Sequence, residues 1–233
     1  METYTIGELN ESSLHKALKA RYMEPELSAE VLFEGYVVDL LGKEEIIEIQ
    51  TANFSGLKAK LRKLLDERDV RLVYPLPKDK WIVKLSSEGE VLSRRLSPKH
   101  CHFDDAFHEL VYIAELLSRP NLKVEILLIQ EEEIRVDDGR GSWRRKGVSI
   151  RDHRLLDVLS SVTLESPRDY LCFLPDCLGE TFTNQNLAEA GRLTVSLARK
   201  ITYTLRKMGL LEVRKTQDRK HYYAKASGGD ELE

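Results

Sequence analysis

Two short apolar runs separated by a glycine turn constrain the fold of this chain more than any other feature. The runs VLFEGYVVDLL (31–41) and EEIIEIQ (44–50) are rich in β-branched residues, and Gly42 and Lys43 lie between them. This composition is typical of two antiparallel strands joined by a tight turn. The sequence therefore predicts a hairpin near the amino terminus.

Helical patterns flank the hairpin on both sides. Leu14 and Leu18 repeat within residues 11–22, behind Asn10 as an N-cap, and residues 53–69 place several leucines on one face. Strands are then expected at 70–77, where Pro75 and Pro77 interrupt the run, at 80–85 and at 90–96. The expected order is helix, hairpin, helix and strands.

The middle of the chain adds one helix and one long strand. Residues 103–118 predict a helix, residues 123–136 a strand, and residues 137–147 a glycine-rich basic loop. That loop holds Trp143 among four basic side chains, which fits either a grip on nucleic acid or an ordinary surface loop. Residues 151–164 are ambiguous and are expected to begin as a strand and end as a helix.

Composition limits the classes of protein that the chain can join. The 233 residues are 42% hydrophobic and 32% charged, which describes one large globular domain or two ordinary ones. No apolar run is long enough to cross a bilayer, and the polar start lacks a secretion signal. The three cysteines do not have the spacing of a disulfide or zinc framework. A cytoplasmic protein without membrane contact is expected.

The carboxy-terminal residues 165–227 have the order of a winged helix-turn-helix. Three helical patterns, the last at 193–208 and closed by Gly209, precede two strand patterns around TQDR. This order resembles the winged-helix regulators, in which the third helix enters the major groove and the wing meets the backbone. We expect a nuclease-like domain at 1–164, the winged helix at 165–227 and a frayed tail at 228–233.

Charge is segregated along the chain. Residues 24–48 contain eight acidic residues and one Lys, whereas residues 192–225 contain ten Lys or Arg and two acidic residues. The acidic end suits a cation and the basic end suits phosphate. The predicted DNA contacts in the basic unit are Arg192, Arg199, Lys200, Arg206, Lys207, Arg214, Lys215, Arg219 and Lys220. The alternative for this unit is contact with another protein.

Carboxylates on the hairpin form the predicted site. Glu48 and Gln50 share a face of their strand, and a turn centred on residues 43 and 44 puts Asp39 opposite Glu48. Two carboxylates that lie opposite each other on neighbouring strands repel each other unless a cation lies between them. Hydrolysis of a phosphodiester uses such a cation, held by hard oxygen ligands.

The motif D-x8-E-x-Q between two helices resembles the PD-(D/E)XK nuclease superfamily. The stretch EIQTANFSGLKAKLRKLL is similar to an uncharacterised group within it, and the resemblance covers most of the chain. It implies that Asp39 and Glu48 bind Mg²⁺ or Mn²⁺ and that Gln50 stands where the motif usually has Lys. Lys58 or Lys60 is then expected to substitute for that Lys. Glu11 or Glu34 is a further acidic candidate.

The resemblance implies an α/β (α+β) fold with a restriction endonuclease-like core, in which helices flank a mixed sheet, followed by the winged helix. The expected function is a metal-dependent DNA endonuclease or nuclease-like DNA-processing protein, with DNA as partner and a homodimer as one arrangement that cuts both strands. The alternative is a catalytically inactive DNA-binding regulator or assembly module.

Overall fold

The computed structural model describes residues 12–145 and 147–226. Its helices are α1 (Ser13–Tyr22), α2 (Phe54–Leu65), α3 (Phe107–Leu110), α4 (Asn184–Gly191) and α5 (Val195–Lys207). Short 3₁₀ turns lie at Phe103–Ala106, Trp143–Arg145 and Pro167–Phe173. The strands are β1 (Ser28–Phe33), β2 (Tyr36–Leu41), β3 (Glu45–Ile49), β4 (Asp69–Leu85), β5 (Val91–Leu96), β6 (Leu122–Asp137), β7 (Val148–Leu164), β8 (Leu211–Gln217) and β9 (Lys220–Lys225).

Strands β1 to β7 form one mixed sheet in the order β1-β2-β3-β4-β6-β7, with β5 paired to β4. The first three strands are an antiparallel meander, because the run predicted as one strand at 31–41 turns at Glu34 and Gly35, both with positive φ. Strand β4 is parallel to both β3 and β6, and β7 is antiparallel to β6. The expected mixed sheet flanked by helices is confirmed at this level.

The prediction that prolines break the strand at 70–77 is wrong, because β4 continues for 17 residues. The Gln50 N–H donates to the Val73 carbonyl at 2.9 Å, so the backbone N–H and C=O of Val73 point toward the β3 side of β4. Backbone groups of residues two positions apart on a strand point the same way, so those of Pro75 and Pro77 also face the β3 side. Strand β3 has already ended there, and β5 pairs only from Trp81 onward. The missing N–H groups of the prolines therefore remove no hydrogen bond from the sheet.

One further helix prediction is wrong, and another holds only in part. Residues 155–162 are strand throughout, and Leu156 and Leu159 are the extra residues of two β-bulges, so the spacing of apolar residues imitates a helix. Residues 103–118 form a 3₁₀ turn, α3 and a series of tight turns. Their hydrogen bonds join residues three positions apart, as between Ile113 N–H and the Leu110 carbonyl at 3.0 Å. Phe107, Leu110, Ile113 and Leu116 of the second segment are buried in the core, whereas Leu156 and Leu159 are exposed.

Apolar layers cover the sheet on both faces. Leu14 and Leu18 of α1 pack with Ile47 and Ile49 on one face. The other face carries the largest buried cluster, which includes the leucines of α2 and continues into α4 and α5. The carboxy-terminal unit thus shares a continuous core with the sheet.

The carboxy-terminal unit consists of the 3₁₀ turn at Pro167–Phe173, α4, α5 and the antiparallel pair β8 and β9. Thr183 caps α4 by accepting from the Asn186 N–H, and Thr194 caps α5 by accepting from the Leu197 N–H. Gly209 follows α5 with a φ of 78°. Three helical segments and a hairpin follow one another in the expected order.

The described residues include no helix that is both long and apolar enough to span a bilayer.

Candidate functional site

The site is built where β2 and β3 stop pairing. Leu40 pairs with Ile47 and Leu41 with Ile46, so Asp39 and Glu48 lie one step beyond the last pair of the two strands. The Asp39 carboxylate itself accepts the Ile49 N–H at 2.8 Å. The side chain thereby occupies the position that a strand carbonyl would otherwise take.

His15 of α1 completes this side of the site. Its Nε2 lies 3.3 Å from Asp39 Oδ2 and 3.1 Å from the carbonyl oxygen of Ile49. One carboxylate oxygen and one carbonyl oxygen therefore both contact His15 Nε2 above the end of β3. Both are hard oxygen atoms of the kind that Mg²⁺ and Mn²⁺ accept as ligands.

The Glu48 side chain extends from β3 toward α2, whereas the Asp39 carboxylate contacts α1. The residue is 3% exposed, and its Oε1 accepts from Nζ of Lys60, which also donates to the Val37 carbonyl at 2.7 Å. The second oxygen, Oε2, is buried and has no hydrogen-bond partner among the described residues. A buried carboxylate oxygen without a partner is costly, and a cation would satisfy it.

The two carboxylates differ in pKa. Burial, together with the negative charge of Asp39, raises the pKa of Glu48 to about 7, against the opposing effect of Lys60. Burial also acts to raise the pKa of Asp39, but the hydrogen bond and charge of His15 and the Ile49 N–H outweigh it and hold that pKa below its usual value. Separated values of this kind are characteristic of functional carboxylate pairs.

The structure does not bring Lys58 to the carboxylates. Its Nζ lies 3.0 Å from Glu115 Oε2, on the far side of α2. Residues two positions apart on a helix point about 200° apart, so only one of Lys58 and Lys60 can face the sheet. Leu57, Leu61 and Leu64 face the sheet, and Lys60 lies beside them on the helix, so Lys60 is the lysine that reaches the sheet.

Gln50 lies next to the site but does not reach Glu48. Its backbone N–H continues the ladder to Val73, and its side-chain amide donates to the Ala52 carbonyl. Of the further acidic candidates, Glu34 pairs with Lys63 at 3.4 Å, and Glu11 lies outside the described residues. Within ranges 12–145 and 147–226, no group of three or more His, Cys, Asp or Glu is arranged to hold a metal.

Sequence reasoning did not find the role of His15. The one signal in the sequence is that His15 directly follows Leu14, a residue on the buried face of α1, which places the imidazole near the sheet. Its partner Asp39 lies 24 positions away, and only the packing of α1 on β3 brings the two together.

The predicted basic surface divides into two groups. Exposed residues of α5 and its preceding turn are Arg192, Arg199, Arg206 and Lys207. Lys200 does not belong to this surface, because its Nζ lies 3.2 Å from both His108 Nδ1 and the His108 carbonyl oxygen. That contact joins α5 to α3. Lys200 therefore serves the packing of the carboxy-terminal unit.

The hairpin of β8 and β9 contributes the remaining basic residues. Arg219 and Lys220 lie exposed at its turn, and Lys215 sits with Nζ 4.5 Å from the centre of the Tyr222 ring. Arg214 pairs with Glu212 at 2.9 Å. Arg219 and Lys220 are thus the two exposed cations at the tip of the hairpin.

Comparison with known proteins adds a family but no activity. The family model of a domain of unknown function, DUF8091, matches residues 12–165. An uncharacterised protein of Treponema pallidum (strain Nichols) is 32% identical over 227 residues, covering 97% of this chain and 90% of the relative. No solved structure matches significantly. The chain belongs to the DUF8091 family.

Proposed function

We propose that this protein is a metal-dependent DNA phosphodiesterase with a PD-(D/E)XK core and a winged helix that binds DNA. The observation that supports it most is the unpartnered Oε2 of buried Glu48, opposite Asp39 and beside Lys60. The order α1, three antiparallel strands, α2 and parallel β4 agrees with the core of that superfamily.

The donor set fits a hard divalent cation. Asp39 and Glu48 would hold Mg²⁺ or Mn²⁺, and Mg²⁺ commonly uses one or two carboxylates and keeps several waters. Such a cation neutralises phosphate charge and lowers the pKa of bound water. His15 holds the Asp39 carboxylate in its orientation from the α1 side.

Lys60 supplies the positive charge that Gln50 lacks. Its ammonium group lies against Glu48, where it can orient a water molecule or stabilise negative charge on a phosphate oxygen. Lys60 comes from α2 and not from β3, so the charge reaches the site from a neighbouring element. Gln50 keeps a backbone role in the ladder.

The exposed face of α5 and the tip of the β8–β9 hairpin are the proposed DNA contacts. The exposed cations Arg199, Arg206 and Lys207 on α5, with Arg219 and Lys220 at the hairpin, would meet phosphates. Such contacts give affinity that decreases with salt and carry little sequence information.

The test is cleavage of supercoiled plasmid with Mg²⁺ or Mn²⁺ by the wild type, Asp39→Asn and Glu48→Gln. Glu34→Gln is the matched control, because Glu34 is a nearby carboxylate paired with Lys63 and not with the site. Metal-dependent cutting by the wild type and the control, with loss in both site variants, is the expected result. Equal cutting by all four proteins would overturn the assignment of the site.

One observation favours the alternative of an inactive DNA-binding regulator. The Gln50 side chain turns back to Ala52, so the position of the usual strand Lys offers no group to a substrate. Absence of cutting by the wild type on linear, supercoiled and single-stranded DNA, with DNA binding retained, would favour this alternative.

A further inference from the structure

The turn between β6 and β7 exposes the most accessible large hydrophobic side chain of the described residues. Trp143 is 83% exposed and lies in a short 3₁₀ turn at Trp143–Arg145. The other tryptophan, Trp81, is partly buried and has the Arg94 guanidinium 4.0 Å from its ring centre. An exposed indole at the end of a long pair of strands suggests a contact surface.

The backbone of this turn is ordered by its own hydrogen bonds. Gly141 N–H donates to the Gly147 carbonyl at 2.8 Å, and Gly147 N–H donates to the Ser142 carbonyl at 3.3 Å. A Cβ at Gly141 would overlap the backbone of Val148, so the close crossing requires glycine there. The crossing closes the turn behind Trp143 and holds the indole on the outside.

Positive charge surrounds the indole. The Arg144 guanidinium lies 5.6 Å from the Trp143 ring centre, and neither Arg140 nor Arg144 has a carboxylate within ion-pair distance in the described part of the chain. The adjacent acidic residues already have cationic partners, since Lys84 binds Asp137 at 2.7 Å and Arg151 approaches Asp138 at 3.6 Å. The turn therefore presents an aromatic face with uncompensated cations, the combination that binds unpaired bases and their phosphates.

The turn lies at the opposite end of the sheet from the carboxy-terminal unit. Strand β4 passes the end of β3 at Val73 and continues for 12 residues to Leu85, roughly 40 Å at the usual strand rise. At the other end, Ser118, just before β6, donates to the Met208 carbonyl behind α5. Asp39 and Glu48 lie between these two ends along the strands.

We propose that Trp143, with Arg140 and Arg144 of the same turn, stacks on an unpaired nucleotide, so that the substrate is a duplex with an adjacent single strand. This inference rests on the proposed function, because it assigns the duplex to α5 and the β8–β9 hairpin and the cutting to the carboxylates. Stacking requires a base that is free of its partner, and every base offers a face to an indole. The β6–β7 turn then selects for DNA structure and not for sequence.

The experiment measures binding in EDTA, so that cleavage plays no part. A labelled blunt duplex and the same duplex with a single-stranded oligothymidine extension are titrated against the wild type, Trp143→Ala and Trp143→Phe. Tyr112→Ala is the control, because Tyr112 is an exposed aromatic residue distant in sequence from the turn. Intrinsic fluorescence is followed in parallel, since Trp81 alone remains in the Trp143 variants.

The extended duplex should bind the wild type and the Tyr112→Ala protein about 5- to 150-fold more tightly than the blunt duplex, the range for one stacked base. The preference should disappear in Trp143→Ala and be retained in large part in Trp143→Phe, and quenching by the extended duplex should vanish in both. Equal affinity of the wild type for both DNAs would overturn the inference. Quenching by phosphatidylglycerol vesicles and not by DNA would assign the turn to a lipid surface and also overturn it.

The result is independent of the cleavage test. A Trp143-dependent preference in a protein that never cuts DNA would leave the stacking contact intact and refute only the nuclease. Metal-dependent cutting by a protein without such a preference would support the nuclease and refute only the stacking contact.

Discussion

Lys60 of α2 forms an ion pair with the buried carboxylate of Glu48 on β3, whereas Lys58, two positions earlier, pairs with Glu115 on the far side of the helix. The two lysines are a matched pair for mutation. Lys60→Met is expected to reduce metal-dependent cutting by about 100-fold or more, because it removes a charged group from the site. Lys58→Met should stay within a few-fold of the wild type in single-turnover plasmid cleavage. A larger loss in Lys58→Met than in Lys60→Met would contradict the placement of Lys60.

Glu48 should make stability depend on pH in the absence of metal. Its pKa is about 7 in the folded protein and 4.5 in the unfolded reference, so the folded state binds more protons between these values. Stability is then expected to decrease as pH rises from about 4.5 to about 7, by about 3 kcal/mol in total. Urea unfolding in EDTA at pH 5 and pH 8 measures this, with Glu48→Gln as the reference that lacks the titration. Parallel pH dependences in the two proteins would contradict the raised pKa.

The exposed face of α5 gives a prediction for DNA affinity. Arg199→Ala should weaken binding to all duplexes alike and reduce the slope of log K against log salt by about 1, because it removes one phosphate contact. Lys200→Ala should leave that slope unchanged, since Lys200 faces His108. Fluorescence anisotropy over a series of salt concentrations measures both slopes. A reduced slope in Lys200→Ala alone would exclude this face as the DNA contact.

A buried charge cluster beyond the carboxylate site predicts a large effect on folding. Lys80 lies 3.0 Å from Glu131 Oε1 and 3.2 Å from Glu133 Oε2, and both carboxylates are almost fully buried. Lys80→Met removes the cation that both carboxylates share, although Glu133 keeps Arg135 and Glu131 keeps His153, and is expected to cost about 2 to 3 kcal/mol at neutral pH.

The loss of stability in Lys80→Met should diminish as the pH falls, because the carboxyl groups of Glu131 and Glu133 can then take up protons. Lys84→Met removes a more exposed pair with Asp137 and should cost less than about 1 kcal/mol. Urea titrations of the two variants at two pH values test this. Equal losses in both would show that Lys80 contributes no more than a surface pair does.

Much of the site could be predicted because it depends on local pattern. The turn at residues 42–44 fixes the register of β2 and β3, and that register brings Asp39 and Glu48 one step beyond the last pair, Leu40 with Ile47. The leucine spacing of α2 and the Thr183 cap of α4 are equally local, and both features are present.

The parts that could not be predicted depend on neighbours. Pro75 and Pro77 are compatible with β4 only because β3 ends before them, which no property of residues 70–77 reveals. The apolar residues of 155–162 have the spacing of a helix, and the β-bulges that accommodate Leu156 and Leu159 form only when β7 pairs with β6. His15 acquires its contact with Asp39 only when α1 packs on the sheet.

The origin of Lys60 on a helix has a consequence for how this family can diverge. An amino group on β3 would be fixed by strand register, whereas the amino group of Lys60 depends on how Leu57, Leu61 and Leu64 seat α2 against the sheet. Under the proposed function, position 50 should then tolerate substitution in a protein that keeps Lys60. If the proposed function is right, enlarging or shortening a leucine beneath α2 should change the rate of cutting although the leucine itself lies in the core.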